Sequence, residues 1–279
     1  MKCKVLGLAY VVGAVCLLAE ASPLNRKYTE GEKLTYLMDG MNDNWTYDLQ
    51  ANGIVLKEGA GKYVEEFGWT GVNLNAESLA FRQKLSLAPD ARLSIPDLSK
   101  VQPQMISPIT DLVTFYADIQ VAHTGSLSHA GDHFYFEFGA PNSWADGTTH
   151  ILGQDAIDFD VTLTKLDAEK NTAELSIKHV PPKKPQVSLP SEWMRKPVAG
   201  TPNNWVDVAK QNGKYIAQVG QETFDVRIVL DSKDGKILTA GLENRVEILK
   251  RECADAELTN CGLESRSRRF RKVGMELVR

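Results

Sequence analysis

Three histidines and an aspartate fall close together in the stretch HTGSLSHAGDH: His123, His129, Asp132 and His133. Neutral imidazoles are common zinc ligands, and a neighbouring carboxylate can complete or orient such a set. The spacing is not the i, i+4 pair that puts two histidines on one face of a metalloprotease helix. His123, His129 and His133 are therefore weak metal candidates, and the reading they would support is an exported metal-dependent hydrolase. The competing reading is three ordinary loop histidines in a polar stretch.

Other reactive groups are sparser. Asp158 and Asp160 share one strand face, with Asp155 just before them. Same-face strand neighbours lie roughly 7 Å apart, a separation a glycosidase pair could use. Their alternation with Ile157, Phe159 and Val161 reads more simply as a solvated face opposite an apolar one. His179 lies on the apolar parity of its strand, where a histidine is expected to line a core or pocket. No G-x-S-x-G elbow, phosphate-binding glycine loop or dinucleotide fingerprint occurs, so no catalytic residue and no cofactor is expected. Cys253 and Cys261 flank ADAELTN. Without a histidine nearby they make a poor zinc site, and in an oxidising compartment they are expected to form a disulfide. Arg266, Arg268, Arg269, Arg271 and Lys272 make the last strand basic. That pattern suits an edge strand guarded by charge, or a contact with anionic lipid heads or an acidic partner.

The aromatic residues give the positive signal. HFYFEF places Phe134, Phe136 and Phe138 on one face of a strand. Leu112 and Tyr116 recur at helical spacing upstream, and Trp144 follows in a loop. Leu112, Tyr116, Phe134, Phe136, Phe138 and Trp144 are the candidate lining of a groove for an apolar or lipid-like ligand.

The elements that position these residues follow from periodicity. Lys2 and Lys4, an apolar run at 5–18 and Ala19-Glu20-Ala21 resemble a signal peptide cleaved after Ala21. The run is shorter than the roughly 20 residues a spanning helix needs, so a secreted or periplasmic location is expected. Residues 22–279 can form a single β-rich domain, with the proline-rich segment 181–190 a candidate boundary. The net charge of −4 argues against nucleic acid as a partner. In 224–230 Phe224, Val226, Ile228 and Leu230 alternate with polar residues. Asp234-Gly235 then turns the chain into a returning strand at 237–249. Strands are also expected at 28–38, 44–49, 53–57, 62–69, 78–87, 133–138, 157–164, 173–179, 213–219 and 267–278. Asn52-Gly53 is read as a hairpin turn. Ser107 as N-cap and Pro108 at the first position open one helix, 107–122. The expected fold is mainly β: a curved antiparallel sheet or half-barrel with one packed α-helix.

The opening YTEGEKLTY resembles the G-E-x-L-x-Y first strand of uncharacterised exported bacterial β-sheet proteins. The plan of a curved sheet with one inner helix is similar to the lipoprotein-carrier and lipoprotein-receptor half-barrels of the bacterial envelope. That resemblance implies an apolar ligand or no known activity, and transfers no individual residue. The leading expectation is a non-enzymatic exported protein that binds an apolar or lipid-like ligand and makes peripheral contact with the cell envelope. The alternatives are the hydrolase and an envelope structural or interaction protein.

Overall fold

A computed structural model describes residues 22–43, 45–71, 81–91, 97–138, 144–145, 149–151, 157–180, 191–201 and 203–278. In chain order the first strands are β1 (Lys33–Asn42), β2 (Trp45–Gly59), β3 (Lys62–Gly71) and β4 (Arg82–Leu85). Helix α1 (Pro103–His123) follows, then β5 (His133–Phe138), β6 (Trp144–Ala145), β7 (Thr149–Ile151), β8 (Ile157–Asp167) and β9 (Thr172–Val180). A short helix α2 (Glu192–Arg195) precedes β10 (Trp205–Gln211), β11 (Lys214–Asp231), β12 (Ile237–Cys253) and β13 (Ser265–Leu277). Among the described residues all thirteen strands belong to one open antiparallel sheet, so the mainly β reading with one substantial helix holds.

The sheet is organised by the β11–β12 hairpin. Its turn closes at Gly235, whose φ of 71° suits glycine. A Cβ there would also meet the Asn25 carbonyl oxygen at 2.5 Å, so glycine lets the N-terminal segment run close beneath the turn. On one side β12 pairs with β13, β13 with β1, and the meander continues through β2 and β3 to β4. On the other side β11 is shared: β10 covers its first half and β9 its second, each leading to its own short branch. The segments expected separately at 213–219 and 224–230 are thus one 18-residue strand.

The sheet must curl, because strands of both wings reach α1 or the turn that directly follows it. Gln83 of β4 donates to the Ile109 carbonyl at 3.3 Å. Beyond the C-terminal end of α1, the Phe134 ring of β5 lies so close over Gly125 that a Cβ there would clash at 2.2 Å. Strands about 4.8 Å apart cannot bring wings so widely separated in the strand order to one helix about 10 Å across unless the sheet wraps it.

Two cores lie on opposite faces of the hairpin. Val226, Ile228 and Leu230 of β11 join the main core with Ile109, Leu112, Phe115, Tyr116 and Ile119 of α1. Ala217 and Val219 have the other parity and join Met194, Val206, Val208, Leu249, Cys253 and Leu258 in a second core. Cys253 and Cys261 form the expected disulfide, which closes the β12–β13 loop beside that second core.

Several local expectations are corrected. Asn52-Gly53 is not a turn; it sits inside β2, with Asn52 paired to Thr35 and Gly68. Glycine is there because the buried Phe67 ring covers it, and a Cβ would approach that ring at 2.5 Å. Gly53→Ala is therefore expected to destabilise the protein by about 1–3 kcal/mol through overpacking, measured as a lower urea midpoint. The helix starts a turn earlier than Ser107, with Pro103 near its N-terminus and Pro108 inside it. The extra turn buries Met105, which offsets the hydrogen bond that Pro108 removes. The basic last strand, β13, is no edge; it is flanked by β1 and β12, and Arg268 and Lys272 pair across it with Glu247 and Glu243. Residues 72–80 and 181–190, parts of an expected strand and the candidate boundary, lie outside the described residues, as does the leader at 1–21.

Candidate functional site

The inner face of the sheet holds two buried polar clusters against α1. In the first, Arg26 enters from the N-terminal segment with its side chain fully buried. Its Nε donates to Glu65 Oε1 at 2.9 Å, Nη2 to Glu32 Oε2 at 2.6 Å, and Nη1 to the Lys27 carbonyl at 2.7 Å. The Tyr116 hydroxyl donates to the other Glu65 oxygen. Burial pushes the Glu65 carboxyl up from its ordinary range, while Arg26 and Tyr116 pull it back down. The guanidinium also lies 4.7 Å from the centre of the Tyr28 ring. Burial and Glu65 push the Tyr28 hydroxyl up to about 12. That hydroxyl accepts the Leu87 N–H at 2.6 Å, so the cluster pins the N-terminal segment to the end of the β4 wing.

The second cluster contains Asp111 and Asp118, seven residues and about 10 Å apart along one face of α1. Asp111 accepts from the Tyr47 hydroxyl at 2.5 Å and from Arg271. Burial raises the Asp111 carboxyl, with Arg271 and Tyr47 opposing. Asp118 is buried and its Oδ2 has no hydrogen-bond partner among the described residues. Burial pushes its carboxyl up to about 8, only partly offset by Arg271, so at neutral pH Asp118 is mostly protonated. The sequence signal is a pair of acids seven apart, one position before Leu112 and Ile119 and so beside the apolar stripe of α1, which a reading of apolar spacing alone passes over.

The groove residues separate into three groups. Leu112 and Tyr116 have no exposed surface; they are core, and Tyr116 serves the Glu65 cluster, so neither lines an open groove. Phe134 and Phe136 are half-buried and pack on the margin of the main core. Phe138 and Trp144 sit in β5 and β6, with side chains outside the described set. Phe136 pairs across strands with Phe159 of β8, and Phe159 meets Phe224 of β11 edge-on, ring centres 5.9 Å apart. Both of these rings are half-buried as well. The sequence reading placed Phe159 and Phe224 in the buried face. What it missed is that strand pairing gathers them with Phe136 into one aromatic row at the core margin.

The histidines do not converge. His123 Nε2 meets the Leu87 carbonyl at 3.1 Å, His129 lies exposed beside Ser128, and His133 faces Asp160 at 3.6 Å. Asp132 accepts the backbone N–H groups of Ser128 and His129 at 2.8 and 2.7 Å, which holds its carboxyl below the usual range. It shapes the loop. No group of three potential ligand side chains of the kind that holds a metal occurs among the described residues. No family model, curated protein or solved structure matches this chain.

Proposed function

We propose that this protein is an exported, non-enzymatic binding protein that carries an apolar or lipid-like ligand on the aromatic row of Phe134, Phe136, Phe159 and Phe224. The observation that carries the reading is the half-burial of these four rings. They share one margin of the core, rest on it from one side, and leave apolar surface for a partner on the other. Phe224 links the row to the organising hairpin, so a bound chain would lie on a rigid element. The hydrolase reading draws no support from His123, His129 and His133, each engaged separately. Dodecanoate titrated against the full chain, followed by displacement of a fluorescent apolar dye, is expected to saturate one site. The Phe136→Ala/Phe224→Ala variant, with its fold checked by circular dichroism, is expected to bind about tenfold more weakly, as loss of buried ring area implies. Absence of saturable binding, or equal affinity in the folded variant, rejects the proposal.

A further inference from the structure

A second concave region lies at the turn end of the sheet, away from the aromatic row. It is a half-open hollow of about 410 Å³ between the β8–β9 turn, the β11–β12 turn, the start of β1 and the end of β13. That volume suits a small organic molecule. Its rim carries Lys33, Lys170, Lys233 and Lys236, with Asp231 the single acidic residue of the lining among the described residues. On a chain of net charge −4 this is a local reversal of sign. Lys236 is already engaged, with Glu32 and Asp234 both at 2.9 Å. Lys33, Lys170 and Lys233 make no ion pair within salt-bridge distance among the described residues, although Lys170 lies in the field of Asp167 in the same turn, and all three are exposed. Three like charges brought to one hollow repel one another, and an anion entering between them relieves that repulsion.

The lysines do not hang on loose loops. The Ser232 N–H donates to the Asn171 carbonyl at 2.9 Å, locking the two turns together. The Lys233 N–H donates to Asp231 Oδ1 at 2.8 Å, and the Gly235 N–H to the Asp231 carbonyl at 2.7 Å. The Val278 N–H donates to the Thr35 carbonyl at 2.8 Å, fixing the end of β13 against β1. Apart from Asn171, the rest of the described wall is apolar: Leu34, Leu238, Leu277 and Val278. An adjoining hollow shares the last three and adds Leu37, Thr239 and the exposed Glu276; Leu37 is 43% and Val278 48% exposed, and Glu276 keeps the charged end of an anion on the lysine side. Cations at the rim and uncovered aliphatic surface beside them select an amphipathic anion over a bare inorganic one.

We infer that this hollow is a binding site for a small organic anion, a phosphate monoester with a compact apolar body, whose charged end is held by Lys33, Lys170 and Lys233 and whose body rests on Leu238, Leu277 and Val278. The ester has the size, charge and shape that the hollow accommodates, and nothing is transferred or cleaved.

The test is calorimetric titration of the full chain in low salt with phenyl phosphate, and in parallel with inorganic phosphate. Phenyl phosphate is expected to fill one site, at least about fivefold more tightly than inorganic phosphate, since the ring buries apolar area. Lys33→Gln/Lys170→Gln/Lys233→Gln is expected to weaken phenyl phosphate at least about tenfold, and raising the salt toward 1 M to weaken it in the parent, because exposed charges are screened. Lys210→Gln/Lys214→Gln/Lys250→Gln, which removes equal charge at the opposite end of the hairpin, is expected to leave the affinity within about twofold. The inference is overturned if no saturable binding occurs, if inorganic phosphate binds as well as the ester, or if both triple variants weaken binding equally. The surface lysines carry little of the fold, and matching thermal midpoints for the two variants will show that a lost signal is lost binding.

Discussion

Replacing Arg26 with methionine will destabilise the protein by about 3–5 kcal/mol, because it strands the buried Glu65 carboxylate without its partner. Glu65 is 1% exposed and, among the described residues, keeps only the Tyr116 hydroxyl as a donor once Arg26 is gone. Its carboxyl is already raised by burial, and losing the guanidinium raises it further. The sign follows from linkage. A carboxyl whose folded-state pKa lies above its unfolded value near 4.3 binds its proton more tightly in the folded state. Stability is then fully present below that unfolded value and is lost as pH rises toward the folded one. The deficit of Arg26→Met should therefore be small at pH 4 and large at pH 8. Arg26→Met/Glu65→Leu removes both charges and should recover much of the loss at pH 8. Urea midpoints of the parent, the single and the double variant at both pH values check this. A single variant as stable as the parent at pH 8 would show that the cluster does not hold the N-terminal segment.

Asp118→Asn will stabilise the protein at alkaline pH and flatten its stability profile between about pH 4 and 8. In the parent the carboxyl is pushed up to about 8 by burial, with Arg271 partly opposing. The raised value means that stability contributed by the protonated form is complete below the unfolded pKa near 3.9 and declines as pH climbs to about 8. The integrated decline is on the order of 5 kcal/mol, at 1.36 kcal/mol per unit. Asparagine cannot ionise, but it buries an amide that must find partners, a penalty of about 1–3 kcal/mol. A net gain of roughly 2–4 kcal/mol at pH 8 is expected, with little change or a small loss at pH 4. Thermal midpoints across that range decide it; parallel profiles for parent and variant would contradict the neutral-carboxyl picture. Groups facing Asp118 enter the same measurement, above all Arg271 of β13 and the Asp111–Tyr47 pair beside it.

Much of the scaffold could be read directly from side-chain order. Alternation at 224–230 and 237–249 marked the hairpin because one face of each strand is buried and the other wet. HFYFEF marked β5 to the residue for the same reason. The helix was legible from its stripe, though Pro103 and Pro108 together blurred its start. The Asn52-Gly53 dipeptide misled because glycine there makes room for a ring rather than a turn, and that ring belongs to another strand. The same holds for the basic last strand: whether a strand is an edge depends on what pairs with it from elsewhere in the chain. The Arg26–Glu65 cluster spans 39 positions, so no local pattern announces it. Of the groove residues, Phe134 and Phe136 are half-buried at the core margin, whereas Leu112 and Tyr116 are filled interior, a distinction that helical spacing alone cannot make.

The β11–β12 hairpin presents even-numbered β11 residues such as Ile228 to one interior near its turn and odd-numbered ones such as Val219 to another near its open end. Sliding one strand past the other by a single position would turn Val226, Ile228 and Leu230 outward and, in the same step, uncover the packing around Met194 and Leu258. A misregistered hairpin thus forfeits two interiors at once and gains neither. The long ribbon has effectively one way to zip, and an error made at either end is felt at both.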